Sequence, residues 1–293
     1  TPEELETLKA KADSQKTTEM TLGVIFSALE VATNLTALAI YLNSDEEKDV
    51  NEIALYSFRS FASGAYLVGF HLERVGSLIA DKKIAGTFDD AFKKFNFGRT
   101  ALILFNLTQA LGGLTKLAIQ AGKAMDPEQE ANSSATLDAG KEFGIGASWF
   151  VYNIYLQKAA KAAVAEGNIA KGIDVLRYGK WKIPNKVLWT YRGLGVFGSG
   201  ISLVTSGWTL YEGVTNDEIS DDEGQHNLIS GSLGTAASIA YISFAFMITP
   251  AAIPVGSVCF VAGLGLNVVQ TVYDEWDNLE EFVFAPIRRA ALD

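Results

Sequence analysis

Charge is missing from one long stretch of this 293-residue chain. Residues 224–273 contain no Asp, Glu, Lys or Arg. Within them, two apolar arms, 230–249 and 255–273, flank a segment bounded by Pro250 and Pro254. Each arm would make a helix roughly 29–30 Å long, which matches the hydrocarbon core of a bilayer. Because proline interrupts helices, the pattern predicts a helical hairpin with an apolar tip.

Cysteine and proline are also scarce, with one cysteine and six prolines. The lone Cys259 excludes an intramolecular disulfide, so folding does not depend on an oxidising compartment. No Pro- or Ser-rich linker divides the chain, which favours a single helical domain over 1–293, with a possible sub-domain seam at 125–138. The first residues, Thr1-Pro2-Glu3, favour a helix start over a signal peptide, so we expect a processed or excised domain.

The motifs of common catalytic and metal sites are absent. The chain has no Gly-x-Ser-x-Gly, His-Glu-x-x-His, paired Cys-x-x-Cys or phosphate-binding loop. Its two histidines, His71 and His226, are isolated from each other and from Cys259. We therefore expect no enzyme activity, no catalytic residue, no metal and no cofactor. A net charge of −10 argues against nucleic acid as a partner.

Two short motifs have alternative interpretations. Gly193-Leu-Gly195-Val-Phe-Gly198 matches the dinucleotide-binding pattern, but no parallel sheet is predicted around it, so close helix packing is the better interpretation. The segments 72–76 and 96–99 are similar to two motifs of Bcl-2 proteins, although Ser77 stands where an acid is expected and a second Trp-containing motif is missing.

Helical periodicity dominates the chain, and the pattern predicts an all-α bundle of about ten helices with a central hydrophobic hairpin at 230–273. Four further segments are strongly apolar: 20–42, 100–115, 143–157 and 193–211. We expect them to be core helices of the bundle, and the alternative is that some of them also enter a membrane. Glu30 interrupts the first of them, as a functional intramembrane carboxylate, as a buried Glu paired inside the bundle, or as one on a solvent-facing stripe.

Residues 51–80 have an amphipathic helical pattern with one apolar stripe. In a bundle surrounded by water, this stripe would face the core. The stripe consists of Leu55, Phe58, Ala62, Ala65, Val68, Leu72, Val75 and Ile79.

The hairpin is predicted to enter the bilayer, and the charged segments near it are predicted to respond to the bilayer surface. The expected membrane-inserting residues are Ser230, Leu233, Ile239, Ile242, Phe244, Phe246, Ile248, Pro250, Ile253, Pro254, Val258, Phe260, Leu264, Leu266, Val269 and Tyr273. Residues 158–192 hold eight basic groups against two acidic ones, so we expect contact with anionic lipid through Lys158, Lys161, Lys180, Lys182 and Lys186.

Acidic clusters stand on both sides of the hairpin. They include the predicted pH-sensing residues Asp217, Glu218, Asp221, Asp222, Glu223, Asp274 and Glu275. Neighbouring negative charges repel one another, so we expect these carboxylates to take up protons as the pH falls from about 7 to 5. Insertion should then become faster, because the membrane-bound state binds more protons than the soluble state.

A helical bundle with a charge-free hairpin at 230–273 resembles the pore-forming domain of colicins, and it is most similar to the membrane-depolarising effectors of type VI secretion. The resemblance implies a protein that is made soluble, is secreted or delivered to a target cell, and depolarises the cytoplasmic membrane of that cell. It also implies a lipid bilayer and a cognate membrane immunity protein as partners, and a monomer in solution.

Two other functions remain open from the sequence alone. The chain could be a polytopic membrane protein, either a channel or an immunity-type partner with four to six spans. It could also be a soluble helical enzyme or interaction domain with an unusually apolar core. Dependence on detergent separates the first alternative from a soluble pore-former, and inertness towards liposomes identifies the second.

Overall fold

A computed structural model describes residues 2–44, 50–125, 133–179, 184–215, 220–247, 253–274 and 276–292. Within these ranges the chain is all-helical and contains no strand. The helices are α1 (Pro2–Asn43), α2 (Val50–Ala80), α3 (Phe88–Met125), α4 (Ser133–Ala165), α5 (Ile169–Tyr178), α6 (Asn185–Thr215), α7 (Asp221–Phe246), α8 (Ile253–Asp274), α9 (Trp276–Leu279) and α10 (Ala285–Leu292), with a π-helical turn at Glu280–Phe284 between the last two.

The predicted helix count is corrected from about ten to eight helices of ten residues or more, because polar and apolar segments share continuous helices. The polar residues 3–19 and the apolar residues 20–42 both belong to α1. No proline or glycine pair separates them, so the helix runs through the change in polarity. The same continuity joins the apolar segments at 100–115, 143–157 and 193–211 to their polar flanks in α3, α4 and α6.

Local signals explain where three of the helices begin. The hydroxyl of Thr87 accepts from the backbone N–H of Asp90 at 3.1 Å, and the Asp90 carboxylate accepts from the N–H of Thr87 at 2.9 Å. This reciprocal pair caps α3. The side chain of Asn168 accepts from the backbone N–H of Lys171 and caps α5, and Ser220 does the same for α7 with the N–H of Glu223.

Seven long helices pack side by side in a closed ring. In order around the ring they are α1, α2, α3, α4, α6, α7 and α8, and α8 packs against α1. Helix α5 lies outside this order and packs against α3 and α4. Neighbouring helices from α1 round to α8 run antiparallel, as Met20 beside Ser77 and Asn34 beside Ser63 show for α1 and α2, whereas α8 and α1 run in the same direction where the ring closes.

The helices α7 and α8 occupy neighbouring places in the ring wall. Their antiparallel contact runs from Ser230 beside Asp274, through Tyr241 beside Asn267, to Phe244 beside Phe260. Helix α7 also packs against α6, and α8 also packs against α1. The predicted hairpin arms therefore form part of the wall, whereas the sequence pattern predicted a central position. The connection at 248–252 lies outside the described residues.

One end of the ring is filled by an apolar cluster. Buried side chains from α2 to α8 meet there, and Leu22 and Phe26 of α1 pack against them. The cluster includes Phe95 of α3 and Leu156 of α4, and α5 contributes Ile173 and Leu176. We call this the closed end. The opposite end, where α1, α3, α6 and α8 finish and α2, α4 and α7 begin, is the open end.

Candidate functional site

A polar lumen runs between the ring helices. It is a cavity of about 400 Å³ lined by side chains from all of the helices α1 to α8. Near the open end it reaches Asp274, whose side chain is 32% exposed. Most of the polar lining consists of neutral hydroxyl and amide groups: Asn106, Gln109, Ser148, Ser199, Ser202, Ser206, Ser238, Asn267, Gln270 and Thr271.

Around the lumen, the distribution of polarity departs from that of a soluble protein. Small polar side chains such as Ser27, Ser148 and Ser238 are buried, with at most 2% of their surface exposed. Large apolar side chains point outwards, among them Phe61 and Val204, each 62% exposed. In a soluble bundle apolar side chains fill the interior and polar ones face water.

Hydrogen bonds between polar side chains join neighbouring helices around the lumen. The hydroxyl of Ser238 in α7 donates to Ser202 in α6 at 2.9 Å. On the other side of α7, the amide of Asn267 in α8 donates to the hydroxyl of Tyr241 at 3.1 Å. These bonds satisfy polar groups inside the ring, as polar side chains do between helices in membranes.

Glu30 and Lys141 are two of the seven acidic or basic side chains that line the lumen. The carboxylate of Glu30 accepts from the hydroxyl of Ser63 at 3.4 Å, and Ser63 accepts from the amide of Asn34 at 3.0 Å. Lys141 of α4 lines the same cavity. Glu30 therefore lies in a hydrogen-bonded position that lines the lumen.

An aromatic layer crosses the lumen beside the closed end. It consists of Trp149 and Tyr152 in α4, Tyr191 in α6, Phe244 in α7 and Phe260 in α8, all of which line the cavity. The ring centroid of Trp149 lies 5.4 Å from Tyr191, 6.3 Å from Phe244 and 5.6 Å from Phe260. A side chain of α4 thus reaches the three helices that follow it around the ring.

A buried ion pair holds the helices beneath this layer. The Arg99 guanidinium lies 2.6 Å from the carboxylate of Glu73, and both side chains are almost fully buried. Arg99 also donates to Asn153 at 2.6 Å and to the carbonyl of Leu176 at 3.0 Å. One side chain of α3 therefore joins α2, α4 and α5.

Close helix packing explains the glycine motif in α6. A Cβ on Gly198 would lie 2.7 Å from the backbone nitrogen of Ile145, and one on Gly144 would lie 2.9 Å from the Cα of Gly198. Helices α4 and α6 therefore cross with their backbones in contact. This confirms the packing interpretation for Gly198, since the whole segment 193–198 is helical.

The structure divides the predicted membrane-inserting residues between two faces of the wall. Ser230, Phe244, Phe260 and Leu264 are buried. Others point away from the ring and are more than half exposed: Ile239, Phe246, Val258 and Val269. Leu233, Ile242, Leu266 and Tyr273 are partly buried, while Ile248, Pro250 and the side chains of Ile253 and Pro254 lie outside the described residues.

The predicted charged residues lie at opposite ends. Lys158, Lys161 and Lys186 are exposed at the closed end, while Asp222 and Glu223 are exposed at the open end, where α7 begins. Outside the described residues are Lys180, Lys182, Asp217, Glu218, Glu275 and the side chain of Asp221.

The remaining acidic position, Asp274, lies at the end of α8. Its carboxylate accepts from the hydroxyl of Ser230 at 3.1 Å and is 3.5 Å from Nε2 of His226. His226 therefore has an acidic neighbour from α8 at the open end.

In the part of the chain that the structure describes, three helical stretches have the length and apolar composition to cross a membrane: Thr18–Asn43, Phe88–Met125 and Asp222–Phe246. Only 11%, 28% and 39% of their most apolar windows are buried within the protein. The second hairpin arm appears as a shorter apolar helix, Val258–Asp274. Within the described ranges, no three His, Cys, Asp or Glu side chains are grouped so that they could hold a metal ion.

Comparisons with known proteins add no assignment. No family model, no curated protein and no solved structure matches this chain.

Sequence reasoning missed the residues that organise the lumen. Trp149 was part of an apolar segment without special features, and Arg99 was noticed only for its resemblance to a Bcl-2 motif. The available signal for a buried ion pair was the position of Arg99, which stands beside Gly98 and directly before the uncharged stretch 100–115.

Proposed function

We propose that this chain is a pore-forming membrane protein whose ring of helices lies in the bilayer and whose polar lumen is the path for ions. The observation that carries the proposal is the combination of buried serines around the lumen with large apolar side chains exposed on the outside of the ring. Lipid removes such side chains from water, at a gain of about 1.5–3 kcal/mol for each one fully buried.

The tryptophans of α6 support the same placement. Trp189 and Trp208 are 64% and 61% exposed and lie nineteen positions apart on one helix. At 1.5 Å per residue their Cα atoms are about 28 Å apart along the axis, close to the thickness of the hydrocarbon core. Tryptophan is enriched at both interfaces of a membrane, so this spacing fits a helix that crosses it.

The described conformation corresponds to a closed pore. The aromatic layer and the apolar cluster obstruct the lumen at one end, while the other end reaches the exposed carboxylate of Asp274. Conduction therefore requires the aromatic layer to separate. An open path of this kind in a cytoplasmic membrane would depolarise it, in keeping with the resemblance to colicin-like effectors, and a producing cell would then need an immunity partner.

Insertion from a soluble state is the second candidate route to the same pore. The charge-free stretch 224–273 supports it, because this stretch forms two adjacent wall helices that could enter lipid together. In this route α7 and α8 enter first and the other helices complete the ring afterwards.

Purification with and without detergent, followed by an assay of ion flux, tests the proposal. We expect the purified protein to dissipate a potassium diffusion potential across liposomes, measured with a voltage-sensitive dye. A need for detergent would support permanent membrane residence, and a soluble form that acts on added liposomes would support insertion. A soluble monomer that leaves the potential unchanged over the range from pH 5 to pH 7 would contradict both routes.

A further inference from the structure

The two ends of the ring differ in charge. At the closed end, seven lysines from five separate parts of the chain are exposed: Lys82, Lys83, Lys93, Lys158, Lys161, Lys171 and Lys186. Acidic side chains there include Asp81, Asp89, Asp90, Glu166 and Asp174. The fold thus adds lysines of the α2–α3 connection and of α3 to the basic segment that the sequence had indicated.

Several of these lysines have no acidic partner. Within the described part of the chain, Lys82, Lys158, Lys161 and Lys186 form no ion pair. Lys83 is 3.9 Å from Asp81, and Lys171 and Lys93 also have acidic neighbours. The closed end therefore presents positive charge that is not neutralised by nearby acids.

The open end has the opposite character. Among the described residues, Lys123 is the exposed cation of the ring at this end, and Arg288, which pairs with Glu280, and Arg289 are exposed in α10, which follows α8. The exposed acidic residues at this end include Asp138, Asp222, Glu223 and Asp274. Lysines and arginines close to membrane-spanning helices are retained on the cytoplasmic side, and the anionic lipids of that leaflet attract them.

We propose that the basic closed end lies against anionic phospholipid headgroups on the cytoplasmic side of the membrane, so that the lumen opens towards the opposite side. This orientation rests on the proposed membrane function. It assigns the aromatic layer to the cytoplasmic half of the bilayer, and it gives ions and blockers access to the resting lumen only from the side remote from the cytoplasm.

Cysteine accessibility tests the orientation. Cys259→Ala removes the native thiol, and Ala85→Cys or Ala124→Cys then places one thiol at the closed or the open end, both at exposed alanines. Each variant is made by cell-free synthesis with inverted bacterial inner-membrane vesicles, whose cytoplasmic face is outside. A polyethylene glycol maleimide too large for the lumen then labels outside thiols. We expect labelling at position 85 to exceed that at position 124 by at least about tenfold until detergent is added.

Charge variants identify the cause of the orientation. Changing Lys82, Lys83, Lys158 and Lys161 together to Gln should lower the labelling ratio several-fold. The matched control neutralises three open-end acids, Asp138, Asp222 and Glu223, and should leave the ratio unchanged, because acidic residues contribute little to orientation. An unchanged ratio in the lysine variant would overturn the role assigned to the basic surface.

The outcomes separate the orientation from the function beneath it. Equal labelling at both positions, or stronger labelling at position 124, in protein that resists alkaline carbonate would overturn the orientation and leave the proposed pore intact. Complete extraction of the protein by alkaline carbonate would contradict membrane integration, and with it both proposals.

Discussion

Replacement of Trp149 by alanine should open the lumen. The indole contacts four rings, at centroid distances of 5.3 Å to Tyr152, 5.4 Å to Tyr191, 5.6 Å to Phe260 and 6.3 Å to Phe244. Each aromatic pair contributes about 0.5–1.5 kcal/mol beyond the burial of its area, so the four together stabilise the closed layer by about 2–6 kcal/mol. Since about 1.4 kcal/mol corresponds to a factor of ten, opening should become at least about 30-fold more frequent.

The assay is ion flux into liposomes at equal protein insertion, or single-channel recording in a planar bilayer. Trp208→Ala is the matched control, because it removes the same side chain from the outer face of α6, where Trp208 is 61% exposed. Trp149→Phe keeps one ring in the layer and should give an intermediate flux. If Trp149→Ala inserts normally and its flux equals that of the parent, the aromatic layer is not the barrier to conduction.

Three further substitutions test the ring itself. Val204→Asp places a charge on the outer face of α6 and should cost about 2.5–3.5 kcal/mol on insertion into the membrane. Ser202→Asp, two residues away in the lumen, should still insert. The measurement is the amount of protein that resists alkaline carbonate, and equal amounts for both variants would refute the assignment of the two faces. Arg99→Met should lower stability by about 3–5 kcal/mol in thermal unfolding in detergent, because it leaves a buried carboxylate without its cation; an unchanged melting temperature would contradict this. Gly198→Ala should destabilise the crossing of α4 and α6, because its Cβ would lie 2.7 Å from a backbone nitrogen. The Cβ of Gly200→Ala would meet nothing within 4 Å, so this variant should stabilise the helix by about 0.5–1 kcal/mol. The reverse order of melting temperatures would contradict the close packing.

Sequence patterns were sufficient to predict where helices form, but they did not predict what each face of a helix contacts. The amphipathic pattern at 51–80 matches α2 closely, because hydrophobic periodicity reports helical geometry. The stripe that should have faced a core is divided, however. Ala62 and Ile79 are buried, whereas Phe58 and Val68 are 42% and 50% exposed. Periodicity shows that one face is apolar, but it does not show whether that face meets other helices or lipid.

The lumen was beyond the reach of sequence reasoning for a similar reason. Scattered serines such as Ser148, Ser199 and Ser238 carry no motif, and they become a polar surface only when three helices bring them together. The charge-free stretch 224–273 was visible because its signal is continuous along the chain. Its place beside α1 depends on contacts between residues far apart in sequence, which a local pattern does not report.

The contact between α8 and α1 determines when the ring can be completed. These two helices both run from the closed end to the open end, and they come from opposite parts of the chain, with Leu22 beside Gly265. Until α8 has been synthesised, the wall has a gap, and the polar side chains of the lumen face whatever solvent surrounds the growing chain. Closure therefore has to wait until α8 has been made, and it joins segments of large sequence separation, which makes it slow compared with helix formation. A ribosome stalled before residue 253 would hold a wall of six helices that is open on one side.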